Sequence, residues 1–220
     1  MKIRAIITGV TGMVGEGVMH ECLNHADVEQ VLVLGRKSCG FTHPKLKEVV
    51  HANLYDLSTV ESQLGNYNAC YFCLGTTSVG KDEAEYTKIT YDLTLHVAQT
   101  LSKLNKDMTF CYVSGSGTDS SEKGRLKWAR VKGKTENDLM KLPFKQVYNF
   151  RPGFMLPTKG LKNVLPAYKY VNWMFPFLKL VMPKFISTLA QVGQAMIRVT
   201  LRGYEKKILE VPDIIAAAEK

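Results

Sequence analysis

Gly9, Gly12 and Gly15 stand three residues apart in TGVTGMVG, directly behind the apolar run KIRAIIT. A glycine triplet alone says little. Here it closes a strand at the amino-terminal end and opens a helix, and that setting gives each glycine a task. Gly9 permits a tight turn, Gly12 lets the backbone approach a diphosphate, and Gly15 lets the helix pack close to the sheet. A diphosphate would then rest on the free N–H groups and the positive end of the helix, which brings Thr11, Met13 and Val14 beside it.

The second apolar run, VEQVLVLGR, ends in Arg36 and Lys37. A dinucleotide fold that takes NAD usually carries an acid there for the ribose hydroxyls; a guanidinium suits a 2′-phosphate and stacks on adenine. The expected cofactor is therefore NADP, with NAD less favoured, and a solvated basic turn is the plainer alternative. Asn53 and Leu54 close a third strand, LKEVVHANL, where an adenine edge would lie; Asp56 serves if the register is shifted. Leu74, Gly75 and Thr76, with Thr77, close a fourth strand, where a small loop would cover the cofactor. Ligands bind at the carboxyl ends of parallel strands, so these positions agree with one another.

Those strands need a framework. Helical stretches at 10–25 and Asp82–Leu104 alternate with strands at NACYFCLGTT, MTFCYVSGSG and QVYNFRPG, and a further helix spans Leu126–Leu142. Ser58 with Glu61 forms a capping-box pattern that opens a short helix, and Thr188 with Gln191 forms another, whose helix stops at Gly203. KILEVPDIIAAAEK gives a short strand and a closing helix with Pro212 in its first turn. Strand and helix in alternation call for a Rossmann-type α/β fold, a doubly wound parallel sheet with helices on both faces. No linker divides the chain. One domain, 1–220, is expected, with a cofactor-binding core over 1–155 and a small substrate-pocket extension over 156–220.

The 220 residues carry a net charge of +9 and 45% hydrophobic side chains. Lys123, Arg125, Lys127, Arg130, Lys132 and Lys134 crowd into one loop and helix start, which suits a phosphorylated ligand or anionic lipid; no nucleic-acid-binding signature accompanies them, so no specific nucleic-acid role is expected. Five cysteines at irregular spacing point to a reducing compartment, and the cytoplasm is the expected location. Cys70 and Cys73 form a CxxC inside a strand, on opposite faces, and read as structural. The histidines show no metal-ligand spacing, and no metal is expected. The amino-terminal residues run straight into a strand and read as no signal peptide. The aromatic 164–185 stretch is broken by Pro166, Pro176, Pro183, Lys169 and Lys179, too short and too charged to span a bilayer. It reads as a pocket wall with part of a dimer face, a weak peripheral membrane contact being the other use of such a surface.

The chain resembles the short-chain dehydrogenase/reductase superfamily, through TGVTGMVGEGV, the LGR ending of strand two, CLGTT, YDLTLHVAQ, RPGFMLP and QVGQAMI. It is most similar to the small atypical branch of Tat-interacting oxidoreductase-like proteins and bacterial proteins labelled nucleoside-diphosphate-sugar epimerases. The resemblance implies a serine, a tyrosine and a lysine as the chemical groups, the last two spaced YxxxK so that the ammonium lies beside the phenol on one helix face. It maps Lys132 onto the lysine and Ser116 onto the serine, with Ser114 as runner-up, and puts Pro152, Gly153, Phe154 and Met155 near the nicotinamide. Four residues before Lys132 stands Trp128 instead of tyrosine. An indole N–H donates a hydrogen bond but does not ionise usefully near neutral pH. Shifting the pairing to Arg130 and Lys134 supplies no acid either.

An NADP-dependent oxidoreductase or epimerase-like enzyme follows, with its usual acid replaced by Trp128 and a water, Ser116, Tyr168 or Tyr170 as substitute. The competing expectation is a catalytically silent NADP-binding regulator that acts through a protein partner. The substrate is an unidentified small molecule, and the protein is a monomer or a homodimer. Arg151 either binds an anionic substrate or makes a structural ion pair.

Overall fold

A computed structural model describes residues 2–164 and 182–219. Tyr168, Tyr170 and the aromatic stretch between 165 and 181 lie outside the described residues. In chain order the elements are β1 (Ile3–Thr8), α1 (Met13–Asn24), β2 (Val28–Gly35), β3 (Leu46–Val50), β4 (Ala69–Phe72), α2 (Glu83–Thr87), α3 (Leu93–Leu104), β5 (Thr109–Val113), α4 (Lys127–Leu139), β6 (Gln146–Arg151), β7 (Phe154–Leu156), β8 (Ile186–Thr188), α5 (Leu189–Arg202), β9 (Ile208–Glu210) and α6 (Val211–Glu219).

Seven strands form one sheet in the order β3-β2-β1-β4-β5-β6-β9, with every neighbouring pair parallel. Each strand is apolar on both faces because each face is covered. Ile3, Ala5 and Ile7 of β1, with Val31 and Val33 of β2, bury against Val18 and Met19 of α1, Val192 and Met196 of α5 and Ile214 of α6. The residues between them, Ile6, Leu32 and Leu34, bury against Val97 and Leu101 of α3 and Leu139 of α4. That period of two explains why the strands read as unbroken hydrophobic runs. Each such side chain, removed from water, contributes about 1.5–3 kcal/mol. The expected Rossmann-type fold is the fold observed.

Local chemistry moves several boundaries. β3 stops at Val50, so Asn53 and Leu54 lie in the turn beyond it; Asn53 Oδ1 accepts the N–H of Tyr55 at 3.1 Å. The Ser58–Glu61 capping box does not form. Asp56 Oδ1 takes the Ser58 N–H at 3.0 Å and its hydroxyl at 2.6 Å, a nearer acceptor pairing that leaves only a 3₁₀ turn over Glu61–Gln63. The Asp82–Leu104 helix starts where expected, with Asp82 capping the N–H of Glu85 at 2.7 Å, but a π-helical turn over Lys88–Asp92 separates α2 from α3. The Thr188–Gln191 box forms in both directions, at 3.1 and 2.9 Å, and Gly203 ends α5 with φ +76°.

The segment after β6 forms β7, which pairs in parallel with β8 in a small second sheet. Gly153 makes this return possible, because a side chain there would overlap the Phe185 carbonyl. Cys70 faces one core and Cys73 packs against the other, as expected of structural thiols, and all five cysteines are unpaired. Burial pushes the Cys73 thiol up to about 12. Among the described residues no helix is long and apolar enough to cross a membrane, and no cluster of His, Cys, Asp and Glu could hold a metal ion.

Candidate functional site

β1 delivers the chain into the glycine loop. Gly9 adopts φ +72°, and a side chain on it would stand 2.6 Å from the Cys73 carbonyl and the Leu74 N–H nitrogen at the end of β4. Gly15 is pressed as closely against the Gly9 carbonyl. Gly12 differs: a Cβ there meets only Gly9 O, at 3.4 Å, so the loop is open on that side. Gly12 also caps α1 without a side chain, and the first-turn N–H groups of Met13, Val14 and Gly15 find no acceptor among the described residues.

A cleft of about 890 Å³ opens here at the carboxyl ends of β1, β2 and β4. Its walls are Gly9, Val10, Thr11 and Gly12; Gly35, Arg36 and Lys37; Ala52, Asn53, Leu54 and Tyr55; Cys73, Leu74, Gly75 and Thr76; and Ile89 with Leu93. The turn after β3 thus brings Asn53 and Leu54 to the cleft even though they lie outside the strand. Arg36 and Lys37 are exposed. Tyr55 stands near the Arg36 charge, with its hydroxyl donating to the Lys88 carbonyl at 2.8 Å. Val10, Tyr55, Ile89 and Leu93 were not singled out from sequence. Ile89 and Leu93 share one helix face, a signal that looks like ordinary core packing.

A second cluster centres on α4, where Trp128, Lys132 and Glu136 recur every fourth residue on one face. The Lys132 ammonium donates to the Ser114 carbonyl, and burial lowers its pKa from 10.5 to about 8 against an opposing pull from Glu136. Ser114 is committed: its hydroxyl donates to Glu136 at 2.5 Å and lies 3.1 Å from the Phe150 carbonyl. The Ser116 hydroxyl makes no hydrogen bond among the described residues, while its N–H donates to the Pro152 carbonyl at 3.0 Å. The Trp128 indole N–H has no acceptor among the described residues.

Glu136, fully buried, was missed from sequence; its place one turn beyond Lys132 was the available signal. It takes Arg151 Nε at 3.0 Å and Nη2 at 2.5 Å, and Arg151 reaches on to Glu210 at 3.2 Å and to the Ser120 hydroxyl at 2.5 Å. Of the two uses expected for Arg151, the ion pair is the one observed. Arg130 Nη2 donates to both carboxylate oxygens of Glu83, at 2.9 and 2.8 Å, and Lys134 to Asp138 at 3.1 Å, so both cations of the shifted pairing are engaged by carboxylates. Lys127 donates to the Lys81 carbonyl. Most of the basic cluster is thereby engaged within the protein.

The family model described as "NAD dependent epimerase/dehydratase family" matches residues 5–125. The chain belongs to that family. Among curated proteins it is 26% identical over 197 residues to Protein FMP52-1, mitochondrial, of Scheffersomyces stipitis, covering 86% of this chain and 85% of that one. It is also 26% identical over 157 residues to Protein FMP52, mitochondrial, of Saccharomyces cerevisiae, covering 70% and 66%. Two solved structures superpose over 99% of this chain. One is the Bordetella bronchiseptica enzyme WbmF in complex with NAD+ and UDP (TM-score 0.66, 15% identity, 76% of that chain). The other is the Helicobacter pylori ADP-L-glycero-D-manno-heptose-6-epimerase (TM-score 0.67, 14% identity, 81% of that chain). The expectation of a cytoplasmic protein is overturned by the FMP52 relatives, whose names are mitochondrial. The cytoplasmic expectation rested on cysteine count and spacing, and a redox poise is not an address.

For this epimerase/dehydratase family member, the cleft fits a dinucleotide on its own chemistry. It offers open space above Gly12, unsatisfied helix N–H groups for a diphosphate, and an apolar edge from Ile89 and Leu93 for a base. Pro152 is buried; Phe154 and Met155 lie in β7, and none of the four residues from Pro152 to Met155 lines this cleft. Ser114 and Lys132 also lie outside its walls.

Proposed function

We propose that the chain is an NADP(H)-binding oxidoreductase or epimerase-like enzyme in which Trp128 replaces the tyrosine usual to short-chain dehydrogenases. The observation that carries this is the cleft itself: bare first-turn N–H groups of α1 beside an exposed Arg36 and Lys37. Thr11 to Gly15 would hold the diphosphate of a dinucleotide, Asn53, Leu54 and Arg36 its adenosine, and Leu74, Gly75 and Thr76 would cover it. When bound, NADP(H) supplies or accepts a hydride. Residues 1–155 form the cofactor core and 156–220 the substrate side, where Pro152 to Met155 approach the nicotinamide.

At the reacting end, Ser116 orients a carbonyl or hydroxyl with its free –OH. Lys132 holds the nicotinamide ribose and polarises the site with its charge. Trp128 stacks on the nicotinamide or the substrate and excludes water. A proton reaches the substrate oxygen through Ser116 or a water, since indole supplies none.

Trp128 also favours a second function: a regulator that binds NADP(H) without turnover and acts through a protein partner. One experiment separates the two. NADPH and NADH are titrated by fluorescence, and carbonyl substrates are then screened with the wild type and Trp128→Tyr. Turnover by the wild type supports the enzyme. Tight NADPH binding with activity only in the variant supports the regulator. Absence of binding by either nucleotide removes both.

A further inference from the structure

Glu16 is the fourth residue of α1 and is fully buried. Its carboxylate is satisfied from far along the chain: Oε1 accepts the N–H of Lys162 and Oε2 the N–H of Asn163, each at 2.7 Å. The same short segment touches both loops of the cofactor cleft's amino-terminal half. Asn163 Nδ2 lies 3.5 Å from the carbonyl of Val10, in the glycine loop. The Lys162 ammonium stands 4.2 Å above the Phe41 ring and 3.4 Å from the Gly40 carbonyl, in the loop that follows Arg36 and Lys37. His20, one turn along α1, packs edge-on against Phe41 at 4.9 Å, and its buried Nε2 stops 4.0 Å short of Glu16 with no hydrogen-bond partner of its own.

We propose that Glu16 is a positioning residue for the dinucleotide: it fixes residues 161–163 as a strap over the diphosphate end of the cleft, with the Asn163 amide as an added donor to that diphosphate. The inference rests on the cofactor site of the proposed function. A buried carboxylate is costly unless its lone pairs are filled, and here they are filled by the strap's own N–H groups. Glu16 also directly follows Met13, Val14 and Gly15, whose N–H groups would receive the diphosphate. With the strap closed, its charge is countered by two donors. With the strap open, it stands as a bare negative charge beside an anion site. Closure and anion binding therefore favour one another, and each strengthens the other by the same factor.

The test follows NADPH release by stopped-flow displacement, together with hydrogen–deuterium exchange at the amides of residues 162 and 163. The proteins are wild type, Glu16→Gln, Asn163→Pro and Asn163→Ala. Gln turns an N–H₂ group toward one of the strap donors. Pro deletes the backbone N–H of residue 163 together with the Asn163 side-chain amide and leaves α1 untouched, so it stands in if Glu16→Gln does not fold, with exchange read at residue 162. Glu16→Gln and Asn163→Pro should release NADPH at least about tenfold faster with faster exchange at the strap, the expected effect of losing a hydrogen bond to a charged group. Asn163→Ala should also release it about tenfold faster, since the lost amide donates to the charged diphosphate, but with exchange at the strap unchanged. Release at the wild-type rate in Glu16→Gln and Asn163→Pro overturns the inference while leaving the cofactor site standing. Unprotected amides in the wild type overturn it as well. A wild type that binds neither NADPH nor NADH overturns the cofactor site and the strap together.

Discussion

The indole of Trp128 lies against Gly117: a methyl group built on Gly117 would sit 3.5 Å from Cη2 of the ring. The ring therefore stands beside the loop that carries Ser116, one helical turn before Lys132. Trp128→Tyr should place a phenol on the same helix face with a cation four residues on. Proton transfer from a positioned side chain gives about 10²–10⁴-fold in rate, so NADPH-dependent carbonyl reduction should rise by at least about a hundredfold. Steady-state NADPH oxidation measures it. An unchanged rate would mean that position 128 is not where the acid belongs.

Arg36 is exposed at the cleft edge, and among the described residues that wall the cleft there is no Asp or Glu. A guanidinium bonded to a phosphate is worth about 1.5–3 kcal/mol, so Arg36→Ala should weaken NADPH by about ten- to a hundredfold. NADH, without the 2′-phosphate, should lose little beyond any stacking on adenine. Parallel fluorescence titrations of the two nucleotides give the ratio. Equal losses for both would sink the assignment of Arg36 to a 2′-phosphate.

What the sequence made legible followed from patterns with one physical cause. Alternating apolar runs disclosed the sheet because both faces are buried, and the glycine triplet disclosed the first turn because Gly9 and Gly15 have no room for side chains. The strand β3 was overrun by four residues because the apolar letters Ala52 and Leu54 continue into a turn that Asn53 closes with its own side chain. Glu136 stayed hidden because a charge on a helix ordinarily reads as solvated. Its burial depends on Arg151 of β6 and on Ser114, just beyond β5, both well separated from α4 in sequence. Glu16 stayed hidden for the same reason, its partners being almost the whole sheet away in sequence.

The buried pair itself gives a stability prediction. Glu136→Gln should destabilise the fold by about 3–5 kcal/mol, since it strips Arg151 of its buried counter-charge. Glu136→Leu together with Arg151→Met should cost less than the single change, because the buried guanidinium leaves with its counter-charge and only Lys132 loses a carboxylate neighbour. Urea unfolding of the single and double variants checks it. A double variant weaker than the single one would show that the pair contributes more than it costs.

Gly133 follows Lys132 and lies under the backbone of Asp119, whose carbonyl occupies the place of a Cβ. The Asp119 N–H donates in turn to the Ala129 carbonyl at 3.0 Å. Gly133→Ala should push the 118–121 loop off α4, a cost of about 1–3 kcal/mol for overpacking. The displaced loop includes Ser120, a partner of Arg151. Thermal melts should fall by several degrees, with Lys132-dependent nucleotide binding weakened as well. A variant that melts with the wild type would mean the loop yields at no cost.

Lys132 sets the pH dependence. Burial opposes its charged form, so its folded pKa falls to about 8 from the ordinary 10.5. Below pH 8 both folded and unfolded chains hold the proton, and the folded state carries the full penalty of a desolvated ammonium. Between about pH 8 and 10.5 the unfolded chain holds a proton that the folded chain has released, so this group's contribution to stability rises with pH. Lys132→Met removes the titration. Wild type should therefore gain stability relative to Lys132→Met as pH climbs from 8 toward 10, while the variant binds nucleotide more weakly at every pH. Denaturant unfolding of both proteins across that range gives the difference directly. A flat difference would mean that the ammonium is not desolvated, and a falling one that its carboxylate neighbour Glu136 outweighs burial.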